Sequence, residues 1–470
     1  MNNTPFVHII HSKVRDFIYD VNTNSLIQLD DGCWKYLYEI LHVGVIEYTK
    51  KYKDNNSSEA QSIIKMLNNG FLKCNRVETI KHPLSDFAED YLKNRLDGVI
   101  LQVTQNCNLK CRYCSYAEDD NSLNRSHNNK NMPWEIAKRT LDFLRDHSRC
   151  SKYLAIGFYG GEPLLQYNLI AKCIEYIEET FYHAKIKYNI TTNGTIMNEE
   201  IVRLLTENDI DLMISLDGPE RIQNKNRRYA KNGMGSFLTV MENLRFLHDS
   251  APNYYKKIAF NTVVELDTDR LNSVVDFFDN NELLNNQRHQ YSLVADDTLN
   301  MFYGETAQFK CAREESFFKN IIRYVSGNNI MHDIQYLGDL RTFNRLLKKT
   351  YELPSVYHNN GPCIPGQKRL HVDVNGVFRP CERVSESSSK MIIGNVQSGF
   401  DFEAVRNLIN VGQTLGDKCK SCWAIRLCRI CCQRLDCSEN VVKERCDVEQ
   451  KNIESNLRDI AILKSCGVEL

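Results

Sequence analysis

Apolar and polar positions alternate along this chain with two different periods, and the changes of period mark its sections. Residues 6–10 and 14–21 are rich in β-branched and aromatic side chains, and Asn22-Thr23-Asn24 after them reads as a hairpin-type turn. From 33 to 41 apolar residues recur at helical spacing; beyond the polar break at 54–58, a second amphipathic helix is predicted over 60–68. From Gly98 onward short apolar runs alternate with amphipathic stretches. Strands are predicted over 98–104, 153–159, 186–191, 211–216 and 257–264, with helices over 134–147, 236–248 and 270–280. This alternation is the mark of βα units, so an α/β partial barrel of about six parallel strands is expected, with its chemistry at the C-terminal strand ends. Residues 281–349 read as more helical, 310–325 being the clearest helix, and Asn375-Gly376 reads as the turn of a hairpin.

Length and charge narrow the class. A chain of 470 residues carries 59 Lys plus Arg against 60 Asp plus Glu, a balance that steers toward neither nucleic acid nor an anionic membrane. The first residues lack the basic start and apolar core of a secretory signal, and no run approaches the ~18 apolar residues of a membrane span. A soluble, cytoplasmic protein is expected. Eighteen cysteines are too many for chance in that compartment, where disulfides are disfavoured and clustered cysteines read as metal ligands. Ten fall into two spaced groups; Cys33, Cys74, Cys150, Cys173, Cys311, Cys431, Cys437 and Cys466 do not, and most read as small buried hydrophobes.

The first group is Cys107, Cys111 and Cys114, at CxxxCxxC spacing directly after the strand-like run 98–104. A zinc structural site or a ferredoxin cubane takes four protein ligands. Three soft ligands on one short loop suggest an iron–sulfur cluster with one iron left open. With Tyr113 before the last Cys, the motif resembles the signature of the radical S-adenosylmethionine (SAM) superfamily. The resemblance implies that SAM chelates the open iron of a [4Fe–4S] cluster on Cys107, Cys111 and Cys114 and yields a 5′-deoxyadenosyl radical. It also implies cofactor contacts from Tyr113, from Gly160, Gly161 and Glu162 of a Gly-Gly-Glu-Pro segment one βα unit on, and from Ser215 and Arg227. Asn193 either reaches the cofactor or caps the following helix.

The second group is Cys363-x12-Gly376-x4-Cys381, then Cys419-x2-Cys422-x5-Cys428-x3-Cys432, then Cys446. A zinc ribbon would need a second CxxC pair. The order of seven cysteines resembles the SPASM domain, which implies two auxiliary [4Fe–4S] clusters, making three in all. Cys363, Cys381 and Cys432 would bind the first, and Cys419, Cys422, Cys428 and Cys446 the second. Relatives carry a further Cys shortly before the first SPASM cysteine, where this chain has Ser355-Val356-Tyr357-His358. The fourth ligand would come from Cys311 or Cys431, or that iron is open to a substrate thiolate.

The strand–strand–helix–helix order of residues 1–90 resembles the winged-helix recognition element (RRE) fused to peptide-modifying enzymes, where a precursor's leader adds a strand to the sheet edge. A small packing module without a ligand is the alternative. Four segments follow: 1–90 as the leader-binding domain, 91–330 as the radical SAM barrel, 331–362 as a helical bridge and 363–470 as the SPASM domain. Together these resemble maturases of ribosomally made peptides, of the thioether-forming sactipeptide and ranthipeptide group. The resemblance implies a Cys-rich precursor peptide as partner, an electron donor such as flavodoxin or ferredoxin, and coupling of a peptide carbon to a Cys sulfur. Carbon–carbon crosslinking and formylglycine-generating sulfatase maturation use the same architecture. Sulfatase-maturing enzymes place an Asp after the second SPASM cysteine, where this chain has Glu382. An electron-transfer or peptide-binding module is the non-enzymatic alternative, and it would leave the CxxxCxxC segment idle.

Overall fold

The computed structural model describes residues 3–12, 15–114, 128–264, 268–293, 318, 322, 342–434 and 439–467. The chain divides into two compact units, each assembled from separated stretches. Met1–Ser85, Glu315–Pro362 and Asn410–Leu470 form the first; Asp86–Glu314 and Cys363–Ile409 form the second.

The first unit opens with an antiparallel sheet of β1 (Val7–Ile10), β2 (Phe17–Asp20) and β3 (Ser25–Gln28), in that order. The sequence predicts its first two strands and the turn, but β3, Ser-Leu-Ile-Gln, is too mixed to stand out. The buried Asp20 carboxylate fixes the turn, accepting the Thr23 N–H at 3.0 Å and the Leu72 N–H at 2.6 Å. Helices α1 (Trp34–Val43), α2 (Val45–Tyr52) and α3 (Ser58–Asn68) follow, Gly44 with φ of 86° separating the first two. The short β4 (Thr79–Ile80) ends this stretch. Alternate residues of β2 point to opposite faces, and both faces are covered. Ile18 packs with Leu37, Ile40, Tyr48 and Ile63 of the helices, whereas Phe17, Tyr19 and Val21 join a core with Ala424, Ile425, Leu427 and Leu457.

In the second unit α4 (Ala88–Asn94) leads to β5 (Gly98–Thr104), a strand buried along its whole length, as expected where both faces of a parallel sheet are covered. The alternation continues through α5 (Trp134–His147), β6 (Tyr153–Gly160), α6 (Tyr167–Thr180), β7 (Lys185–Thr192), α7 (Glu199–Glu207) and β8 (Asp211–Ser215). Then come α8 (Glu220–Asn226), α9 (Phe237–Ser250), α10 (Pro252–Tyr255), β9 (Ala259–Val264), α11 (Thr268–Asp279) and β10 (Arg288–Leu293). The six strands β5 to β10 stand in sequence order and all pair in parallel. Arg288–Leu293 is extended where the sequence reads as helical, because six of its residues pair with the open edge of β9. Of the helix predicted over 310–325, residues 318 and 322 are described, and both are helical; the others lie outside the described residues.

The chain returns to the first unit at β11 (Val356–Tyr357), which pairs in parallel with β4. It then re-enters the second unit. The hairpin predicted around Asn375-Gly376 is formed by β12 (Leu370–Val372) and β13 (Val377–Arg379), and β12 adds to the other edge of β5 in parallel. With β14 (Gly394–Asn395) and β15 (Gly399–Phe400) the sheet reaches ten strands. Helix α12 (Phe402–Ile409) closes this unit; α13 (Asp417–Lys420) and the 27-residue α14 (Glu439–Ser465) belong to the first. Among the described residues no helix is long and apolar enough to cross a membrane.

Candidate active site

Cys107, Cys111 and Cys114 lie on the loop leaving the C-terminal end of β5, and hydrogen bonds hold that loop from two sides. Along residues 108–112 it is laced to residues 226–230. The Ala230 N–H donates to Asn108 O at 2.9 Å, Lys110 N–H to Arg228 O at 2.8 Å and Arg112 N–H to Asn226 O at 3.1 Å. From the other side the end of β6 presses against it: Gly161 N–H donates to Thr104 O at 3.0 Å and Glu162 N–H to Asn106 O at 2.9 Å. No side chain fits at this approach. A Cβ on Gly160 (φ +140°) would stand 2.0 Å from Thr104 O, and one on Gly161 would stand 2.3 Å from Asn106 O.

The polar side chains predicted for this site are built into the same lattice. The carboxylate of Glu162 accepts from Thr192 Oγ1 at 2.8 Å, Leu164 N at 3.1 Å and Asn193 N at 2.7 Å, joining β6 to β7. Complete burial raises its pKa to about 7, against those donors. Asn193, Asn108 and Thr195 close a ring. Asn193 Nδ2 donates to Asn108 Oδ1 at 2.8 Å, Asn108 Nδ2 to Thr195 Oγ1 at 2.8 Å, and Thr195 Oγ1 to Asn193 Oδ1 at 2.6 Å. The Tyr113 hydroxyl donates to Asp217 Oδ2, which also accepts Arg227 Nε at 3.0 Å. Burial opposes the Arg227 charge, but Asp217, Tyr113 and Cys111 outweigh it, so its pKa is raised and the guanidinium is fixed as a cation. Arg227 thus reaches Cys111 while tied to Asp217, and Ser215 is buried at the end of β8.

Cys107 lies within electrostatic reach of Cys111 and Cys114, and Cys111 of Cys114. Burial pushes Cys107 up to about 12 and Cys111 to about 11, the Arg227 charge opposing it at Cys111. Such thiols are neutral near pH 7, and only a bound cation would make thiolates of them. Among the described residues no three His, Cys, Asp or Glu side chains converge tightly enough to chelate a single metal ion. Three soft sulfurs on one short loop are a donor set that fits an iron–sulfur cluster.

In the first unit, Cys419, Cys422, Cys428 and Cys446 line a cavity of about 310 Å³ with Asn359, Trp423, Glu449 and Gln450. Burial raises the pKa of all four thiols, to about 12 at Cys419 and about 11 at Cys446, with neighbouring thiols adding to it at each but Cys422. A pocket lined by four soft donors fits the auxiliary cluster expected for these residues. The other predicted group is divided: Cys363 and Cys381 belong to the second unit and Cys432 to the first. Cys311 lies outside the described residues. Sequence reasoning missed Asp217, Asn108, Asn359 and Gln450. Asp217 follows the strand over 211–216 and Asn108 lies between Cys107 and Cys111, but neither pattern fixes their type; Asn359 and Gln450 are isolated amides without a motif.

Residues 101–269 match the Radical SAM superfamily. The chain is 30% identical over 195 residues to the radical SAM cyclopropyl synthase TigE of Paramaledivibacter caminithermalis, covering 40% of this chain and 39% of that protein. It is 28% identical over 364 residues to a cysteine-type anaerobic sulfatase-maturating enzyme of Clostridium novyi, covering 72% of this chain and 88% of that one. The chain spans half or less, 50% and 39%, of the length of the first curated relatives it matches. Its fold is similar to that of native anSMEcpe with bound AdoMet and the Cp18Cys peptide. The TM-score is 0.56 at 22% identity, covering 77% of this chain and 99% of that one.

Proposed function

We propose that this chain is a radical SAM peptide maturase that forms Cys-derived thioether crosslinks in a ribosomally made, Cys-rich precursor. The observation that carries the reading is the pairing of the three-cysteine loop at the strand ends with a second, four-cysteine cavity. Cys107, Cys111 and Cys114 would hold a [4Fe–4S] cluster that binds SAM. When bound, that pair supplies one-electron chemistry strong enough to remove hydrogen from carbon. The protein's own residues do the rest. Gly160 and Gly161 let the backbone approach where a side chain would block it, and Asp217, Arg227 and Tyr113 hold the loop rigid. Cys419, Cys422, Cys428 and Cys446 would hold an auxiliary cluster. The edge strand β3 offers main-chain donors and acceptors on which a leader peptide can add. A cytoplasmic flavodoxin or ferredoxin would supply electrons.

A second reading, sulfatase maturation, is favoured by the similarity to the Clostridium novyi enzyme over 72% of this chain. Glu382, at the position of that group's Asp, is tied through Oε1 to Arg369. The test is anaerobic reconstitution with iron and sulfide, followed by SAM and dithionite. Wild type is expected to release 5′-deoxyadenosine, and the Cys107→Ala, Cys111→Ala, Cys114→Ala triple variant to release none. Persistence of that product in the variant sinks the assignment. Co-expression with a Cys-rich peptide is expected to remove two hydrogens per crosslink and leave the thiol unalkylatable. An aldehyde at a sulfatase Cys, with unchanged Cys-rich peptide, selects the second reading.

A further inference from the structure

Three cysteine sulfurs among the described residues accept an N–H from a side-chain amide. Cys107 Sγ accepts Asn193 Nδ2 at 3.8 Å and the Leu109 N–H at 3.4 Å. Cys422 Sγ accepts Gln450 Nε2 at 3.4 Å. Cys428 Sγ accepts Asn359 Nδ2 at 3.7 Å. Each of these amides comes from a distant part of the chain. A neutral thiol is a weak acceptor. An amide donor aimed at the sulfur suits an electron-rich, metal-bound thiolate instead. Recurrence within the four-cysteine cavity and again at the separate three-cysteine loop argues against accidental packing.

We infer that Gln450 and Asn359 are tuning residues that raise the reduction potential of a cluster held by Cys419, Cys422, Cys428 and Cys446. The inference rests on the reading of that cavity as a cluster site. Donors to ligand sulfur offset negative charge, and the added electron makes that charge larger, so they stabilise the reduced form. The tuned step is addition of one electron; no bond forms or breaks, and dithionite supplies the electron in the test. Cys419 and Cys446 line the same cavity as Cys422 and Cys428. The effect would make this centre a better electron acceptor.

The full-length protein, reconstituted anaerobically, is titrated with dithionite while electron paramagnetic resonance is followed, in wild type, Gln450→Met, Asn359→Ser and the double variant. Iron and sulfide are counted in each, and the CxxxCxxC cluster serves as internal reference. Each single variant is expected to keep its iron and to show a more negative midpoint for the four-cysteine cluster. The double variant should move further, with the reference unmoved. Unchanged midpoints at full iron content overturn the tuning role and leave the cluster reading intact. Asn359 Nδ2 also donates to Ile430 O at 2.8 Å, so a loss of iron in Asn359→Ser leaves Gln450→Met to decide. If Cys419→Ala, Cys428→Ala protein holds as much iron as wild type, the cluster reading itself fails, and the tuning role with it.

Discussion

Glu162 shows how a single buried group ties stability to pH. Its carboxyl is raised by burial from an ordinary 4.5 to about 7. Between those values the native state keeps a proton that the unfolded chain has released, so this group's contribution falls as pH rises through that window and is largest below it. Metal-free Glu162→Gln protein is therefore expected to lose this slope between pH 4.5 and 7, read as melting temperature against pH; an unchanged slope would reject the assignment. The same variant should be less stable overall, because an amide nitrogen would face the donors Thr192 Oγ1, Leu164 N and Asn193 N. Gly160→Ala has a different origin. The added Cβ would stand 2.0 Å from Thr104 O at φ +140°, so a loss of about 3 kcal/mol or more is expected, with poor iron uptake by the soluble fraction. Wild-type melting and iron content in this variant would contradict the close approach. The cysteines and the Gly-Gly pair were legible because their spacing is itself a pattern. The amides were not, since an isolated Asn or Gln acquires its role only from what folds beside it.

At the level of elements, the parallel strands were legible where burial on both faces makes an apolar run, as in β5. β10 escaped notice: its sequence, RHQYSL, carries no run, and it becomes a strand by pairing with β9. The N-terminal sheet carries apolar residues on both faces for a reason sequence order conceals, namely that it lies between two sets of partners within its unit. Arg426 is a pin of that arrangement, donating Nε to Val21 O at 2.7 Å and Nη2 to Asn22 O at 3.2 Å and to Tyr351 O at 2.9 Å. Arg426→Met would leave these carbonyls unpaired, and a loss of about 2–4 kcal/mol is expected in thermal or denaturant unfolding. A change within experimental error would show that water replaces the guanidinium.

Across the whole molecule, each compact unit is assembled from separated stretches of the chain. Met1–Ser85 and Asn410–Leu470 share one unit, and Phe17, Tyr19 and Val21 share one core with Ala424, Ile425 and Leu427. Deleting residues 1–85 is thus expected to do more than remove a peptide-docking surface. It would expose that core and cost the four-cysteine site its iron, lowering the iron count by about four per chain. A truncated protein that keeps its full iron count would mean that the C-terminal cysteines fold without the sheet. Sequence alone determined the periodic strands and helices, the CxxxCxxC loop and the Gly-Gly turn, because each depends on neighbours a few residues away. Only the tertiary structure decided that β12 extends β5, that Asp217 holds Tyr113 and Arg227, and that amides face the cysteine sulfurs. Those contacts join residues far apart in the chain, and pairing of that kind is chosen by which edges and polar groups remain unsatisfied once the local elements have formed.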